Sequence, residues 1–217
     1  MRFAKQIAMT LVAAASTMVQ AAPATITSYD VSGAQLSGFG SWSHTYFGSI
    51  SGTTYTNGSG TLNDGIVPSS EQNNQLFLFG DTPVITLHLS ESIKVNTIDI
   101  LGGITPSNAI PGTLKGWSVT IGDMTANLTS VGSNNQCYSG LCDDRVSLVG
   151  TGLDEILTQT IVLSHFEGVG GSWPEYFSAA EIVVNSPVPE AEAYAMVASG
   201  LCLVFLAAGR RQRRPGL

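Results

Sequence analysis

The sequence predicts an all-β fold, an antiparallel β-sandwich, flanked by an N-terminal signal peptide and one C-terminal transmembrane helix. Three observations carry this prediction. Residues 22–185 are rich in Gly, Ser, Thr and Asn, with short apolar or β-branched runs between them. Those runs alternate with period two and lack the 3.6-residue apolar period of an amphipathic helix. Turn-forming clusters separate them, at Asn57-Gly58-Ser59-Gly60, Asn63-Asp64-Gly65 and Gly168-Val169-Gly170-Gly171. Many short strands punctuated in this way fit a sandwich.

In chain order, Arg2 and Lys5 precede an apolar stretch from Ile7 to Val19. Val19-Gln20-Ala21 then places small residues where a signal peptidase cuts, so residues 1–21 read as a secretory signal with Ala22 as the first mature residue. Alternation predicts strands over 25–31, 40–49, 75–79, 84–89, 95–102, 116–121, 145–149, 158–164 and 178–184. Residues 186–192 form a linker, which Pro187 and Pro189 keep extended and open to a protease. Residues 193–209 contain no charge and, as a helix, would span about 25 Å, near the short limit for a bilayer. Arg210, Arg211, Arg213 and Arg214 follow at once and act as a basic stop, leaving 210–217 cytoplasmic. A buried C-terminal core helix is the other reading. It would seldom end in four arginines after a run with no polar face.

The domain carries three strong bases, Lys94, Lys115 and Arg145, against fourteen acids, a net charge of −11. Such a surface repels phosphate backbones, which excludes nucleic-acid partners. It is compatible with bound divalent cations and equally with a plain secreted surface. Cys137 and Cys142 read as a disulfide in an exported chain, with a metal site as the rival and no histidine nearby to support it. Cys202 falls in the membrane segment. His44, His88 and His165 lack catalytic context, and no nucleophile elbow, zinc helix or phosphate loop occurs. His88 reads as a strand-face residue. Asp143-Asp144 and Asp154-Glu155 read as solvated loop acids, because neighbours on a strand point to opposite faces and form no dyad. The chain is therefore expected to be no enzyme.

The tail, Val188-Pro189-Glu190-Ala191, then a helix holding Gly200-Leu201, then the four arginines, resembles the PEP-CTERM sorting signal of Gram-negative bacteria. The third motif position is Ala191 rather than proline. The resemblance covers about thirty residues. It implies export by the Sec translocon, an inner-membrane intermediate and recognition by an exosortase. Delivery to the cell surface or extracellular matrix follows, in a family associated with exopolysaccharide, biofilm and flocs.

The order of features in residues 60–185 resembles the discoidin-type, galactose-binding-like jelly roll. The matching pieces are the Asp64-Gly65 loop, Ile85-Thr86-Leu87, Val95 to Ile100, and Ala180-Glu181-Ile182-Val183-Val184. The resemblance implies a structural Ca²⁺ held by Asp64 and Glu181, with loop carbonyls and Asn63 nearby, and hard oxygen donors suit that ion. The alternative is a turn aspartate capping its own loop and a glutamate on an edge strand. Trp173, in a glycine-led loop beside Tyr176, is the candidate for stacking on a sugar. Trp42, with Tyr46 and Tyr55, forms a second aromatic group, for which core packing is the preferred reading; Trp117 reads as core. The expected role is carbohydrate binding or structural service in a polysaccharide matrix, with a ligand-free adhesin or a secreted hydrolase as alternatives.

Overall fold

Apolar residues at every second position drive the strands together. Leu87 and Leu89 on one strand and Ile161 and Leu163 on its neighbour are all buried. Residues between them in sequence, His88 and Val162, are half-buried. In the computed structural model the described residues are 23–35, 42–66, 72–103, 114–131, 141–168 and 175–187. They belong to one unit, Pro23–Pro187. The signal peptide, the sorting motif Val188 to Ala191, the 193–209 segment and the arginine tail lie outside them. No helix among the described residues is long and apolar enough to cross a membrane.

The strands in chain order are β1 (Ile26–Ser32), β2 (Tyr46–Ser51), β3 (Thr54–Gly60), β4 (Gln75–Leu78), β5 (Val84–Ile93) and β6 (Thr97–Gly103). Then come β7 (Leu114–Ile121), β8 (Met124–Thr129), β9 (Leu141–Ser147), β10 (Thr158–Gly168), β11 (Tyr176–Ala179) and β12 (Glu181–Asn185). A seven-stranded sheet runs β2-β3-β1-β5-β10-β7-β8; a three-stranded sheet runs β12-β6-β9, and β11 pairs with β4. All these pairings are antiparallel. Tyr29, Leu87, Val119 and Leu163 of the large sheet share one buried cluster with Ile98, Ile100, Val146, Ile182, Phe77 and Phe177 of the smaller ones. The chain passes repeatedly between the two layers from β3 to β7, the jelly-roll habit expected from the sequence.

Four expectations need correction. Asn57-Gly58-Ser59-Gly60 lies in strand β3 and is not a turn. Its glycine serves packing: a Cβ on Gly58 would sit 2.5 Å from the Tyr46 ring, and one on Gly48 would sit 2.6 Å from it. Strand β8, unanticipated, forms a hairpin with β7 across a turn at Gly122, where φ is 59°. The last predicted strand is two strands. Tyr176–Ala179 pairs with β4, Glu181–Asn185 pairs with β6, and between them the Ala180 N–H donates to the Leu101 carbonyl at 2.6 Å. Strand β10 continues beyond Ser164 to Gly168. In β9, Cys142 stands opposite Gly102; Cys137 lies outside the described residues, so the expected disulfide does too.

Phe177 is fully buried, its ring centroid 4.8 Å from that of Phe77, 4.8 Å from Phe166 and 5.2 Å from Phe79. It therefore ties the small sheet to the large one. Phe177→Ala is expected to lower unfolding free energy by about 3–5 kcal/mol in urea titration. A loss below about 1 kcal/mol would show that the aromatic cluster does not join the layers.

Candidate functional site

Strand β10 changes phase halfway along. Ile161 and Leu163 point into the sandwich, so an unbroken strand would bury residue 165 next. Instead Ser164 pairs with Ser118, and the next registered pair is Glu167 with Gly116. His165 and Phe166 thus oppose Trp117 alone, which is a β-bulge. His165 takes left-handed backbone, φ 50°, at an expense of roughly 1–2 kcal/mol for a non-glycine residue. The phase shift lets Phe166 enter the core against Phe177 and Trp117, with ring centroids 4.8 and 6.4 Å away. It also leaves Ser164, His165 and Glu167 together on the solvent side. The Ser164 hydroxyl and His165 Nδ1 are 3.0 Å apart.

Two clefts meet at this bulge. One, about 400 Å³, lies on the outer face of β7, β8 and β10. Its lining includes Gly116, Ser118, Asn127, Thr129 and His165, with the Lys115 ammonium and Glu167 carboxylate paired at 3.3 Å on the rim. Gly116 has no room for a Cβ, which would lie 2.2 Å from the Leu128 carbonyl oxygen; backbone therefore lines the cleft there. The Ser118 hydroxyl donates to Asn127 Oδ1 at 2.6 Å. The other cleft, about 440 Å³, is lined by Phe79, Thr82, Pro83, Ser164 and His165 among others. Thr82, like His165, is left-handed, with φ 45°. The loop with Trp173 lies outside the described residues. Tyr176 is half-buried on β11 opposite Leu78.

A third cleft of about 480 Å³ brings Asp64 and Glu181 together. Asp64 follows the short 3-10 turn Thr61–Asn63, and Glu181 opens edge strand β12. The Gly65 N–H donates to Glu181 Oε2 at 2.8 Å. Glu181 is 9% exposed. Burial pushes its pKa up to about 7; the Asp64 charge adds to that, and the Gly65 bond opposes it. Asp64 accepts hydrogen bonds from the Ile66 N–H at 2.8 Å and the Asn73 amide at 3.3 Å. The Asn63 side chain is engaged elsewhere, accepting from the Gly60 N–H and donating to the Ile26 carbonyl, both at 2.9 Å. Among the described residues no group of three or more His, Cys, Asp or Glu is placed to hold a metal, so any cation here would need backbone carbonyls as well.

Other singled-out residues have structural places. Trp42 is 8% exposed, which leaves its ring no open face for a ligand. Tyr55 is buried, 5.0 Å from Tyr46 and 5.5 Å from His44 between ring centroids. Asp143 and Asp144 are strand residues of β9 and not loop acids. Asp144 is 4% exposed and accepts the Leu114 N–H at 3.0 Å. Burial, with a smaller push from Asp143, raises its pKa to about 7. Asp154 is a loop acid, capping the Gly150 and Gly152 N–H groups at 2.9 and 3.1 Å. His88 lies 3.0 Å from the Asp30 carboxylate on the sheet face.

No protein-family description matches the chain, and no curated protein matches its sequence. Solved structures do. One is a family 32 carbohydrate-binding module from Clostridium perfringens NanJ in complex with galactose, 15% identical, covering 58% of this chain and 82% of its own, with TM-score 0.37. A second Clostridium perfringens module of that family, with GlcNAc-α-1,4-galactose, is 16% identical over 79% of this chain and 99% of its own, TM-score 0.41. The C-terminal domain of a chitobiase from Bacteroides fragilis is 16% identical over 78% of this chain and all (100%) of its own, TM-score 0.43.

The two raised carboxyls set a pH dependence. Folded values near 7 exceed the ordinary 4.5 of Glu181 and 3.8 of Asp144. Their contribution to stability is therefore complete below about pH 4 and is lost as pH rises through about 7. Melting temperature in EDTA is expected to rise as pH falls from 8 to 5, with the slope reduced in Glu181→Gln and in Asp144→Asn. A flat profile in the wild type would refute this electrostatic picture. His165→Gly, which removes the left-handed penalty, is expected to keep or raise stability by up to about 1 kcal/mol in urea titration; a loss of that size would argue against a strained bulge.

Proposed function

We propose that this chain is an exported, non-enzymatic carbohydrate-binding protein that serves an exopolysaccharide matrix. The observation that carries the reading is the outer face of the large sheet. It presents neutral hydrogen-bonding groups beside open clefts: Thr120, Thr125, Asn127, Thr160 and Ser164 are all half-buried or exposed. Hydroxyl and amide groups in a shallow cleft suit a polyhydroxylated ligand that is itself uncharged. Of the adjacent acids, Asp144 is engaged by the Leu114 N–H and Asp154 by the Gly150 N–H. The sorting route rests on the order of residues from Val188 to Arg214, with exosortase and the translocon as its partners and the cell surface or matrix of a Gram-negative bacterium as its destination.

A structural Ca²⁺ belongs to the same proposal. The Asp64 and Glu181 carboxylates would hold it, completed by backbone carbonyls of the 63–65 loop. A divalent cation offsets the burial cost and the smaller Asp64 repulsion that raise Glu181, and its binding releases the Glu181 proton. Full-length protein is expected to melt several degrees higher with Ca²⁺ than in EDTA at pH 7.5, an increment lost in Glu181→Gln. Equal melting temperatures, and no metal in the purified protein, would remove the ion from the account.

Carbohydrate binding is tested by titrating the full chain with galactose, GlcNAc-α-1,4-galactose and the host's own exopolysaccharide. The expected result is saturable binding to at least one of them. Absence of binding to all three would favour a second reading, a structural adhesin without a pocket. One observation favours that alternative: β2, the edge strand among the described residues, exposes Phe47 at 76% and Ile50 at 53%, an apolar edge suited to strand addition.

A further inference from the structure

We infer that the cleft beside the β10 bulge is a subsite for one neutral hexose unit. The inference rests on the carbohydrate-binding reading and places it at named residues. Inward-facing residues Trp117, Val119, Ala126 and Leu128 build the floor from the core side. Outward-facing Ser118, Asn127 and Thr129 line one wall, and His165 and Glu167 the other.

Charge selects the ligand class. Among the described residues the lining carries one ammonium, Lys115, and one carboxylate, Glu167, and they are paired with each other. A phosphate or uronate would have to break that pair and meet an acidic domain. A metal ion would find a single carboxylate, already occupied. A neutral ring with vicinal hydroxyls needs neither change. The Lys115–Glu167 pair offers a donor and an acceptor side by side, which adjacent hydroxyls can bridge.

Fixed geometry selects one ring. The Ser118 hydroxyl occupies Asn127 Oδ1, so the Asn127 NH₂ is left to donate into the cleft. Ser164 engages His165 Nδ1, which leaves Nε2 to face a ligand. The left-handed backbone at 165 puts the imidazole on the outer face, where a regular strand would have buried it. A volume of about 400 Å³ is at the small end of ligand sites and suits a single sugar ring with its neighbours in the chain outside. Among the described residues β8 is the edge strand of its sheet.

The test uses full-length protein, ¹⁵N-labelled in detergent and titrated separately with galactose, glucose, N-acetylglucosamine and mannose. Variants are His165→Gly and Asn127→Ala, with Glu181→Gln as a control at the distant acidic cleft. The expected result is shifts of the Gly116, Asn127 and His165 amides with at least one sugar. Each cleft variant should weaken that binding by about three- to tenfold, the effect of one neutral hydrogen bond. The control should bind within about twofold of wild type, and melting temperatures of all proteins should show them folded. Wild-type binding that both cleft variants retain, or amide shifts confined to residues such as Asp64 and Gly65, would overturn the subsite and leave the carbohydrate reading standing. Wild-type protein that binds none of the four sugars would overturn the subsite, and if the exopolysaccharide also fails to bind, the carbohydrate reading falls with it. Should either variant fail to fold, the wild-type shift map decides alone.

Discussion

Phe166 must reach the core, and strand β10 cannot deliver it there by regular alternation. That conflict shapes the outer face of the large sheet around β10. Burying a phenylalanine is worth about 2–3 kcal/mol, and each aromatic pair adds roughly 0.5–1.5 kcal/mol. These gains offset the left-handed backbone at His165, where a glycine would have been free of strain. The same residue that absorbs the phase shift is pushed out to solvent. Packing inside the sandwich thereby fixes what the outer face displays, and two clefts open on either side of the ridge that results.

Much of the architecture was legible because alternation reports burial directly. Strands β1, β5, β6 and β7 lie close to their expected places, since Val, Ile and Leu at every second position have no other stable use there. The reading failed where glycine had two meanings. Gly58 resembles a turn residue in sequence, yet, like Gly48, it lets the Tyr46 ring lie against the hairpin, which only the tertiary contact reveals. Asp143 and Asp144 resemble solvated acids for the same reason: nothing local says that β9 begins at Leu141 and carries Asp144 inward. Asp64 and Glu181 were paired through the resemblance alone, 117 positions apart in chain, and the fold does bring them to one cleft. The residues around His165 offer no catalytic context, so its type alone does not mark it. The available signal was the apolar spacing Ile161, Leu163, Phe166, which skips one position and marks a bulge.

Electrostatics divide the domain into regions of different use. Asp99, nearly buried, is held by the Arg145 guanidinium and by the Asn185 amide at 3.0 Å, so this charge is compensated within the small sheet. Burial raises the Glu181 and Asp144 carboxyls to about 7. The bulge clefts hold a self-compensated pair and otherwise neutral groups. At the bulge clefts this acidic domain thus presents mainly hydroxyl, amide and imidazole groups. A polysaccharide with few ionised groups would find its hydrogen-bonding partners there, and the acidic cleft would remain a place for a structural ion.

The most direct test of the central claim, that the β10 bulge creates the ligand-binding face, is a crystal structure of the protein soaked with the sugar it binds best. The account predicts a ring seated over Gly116, within hydrogen-bonding distance of the Asn127 amide and His165 Nε2, and His165 still in left-handed backbone. A sugar found only elsewhere on the domain, or a β10 strand without the bulge, would contradict it.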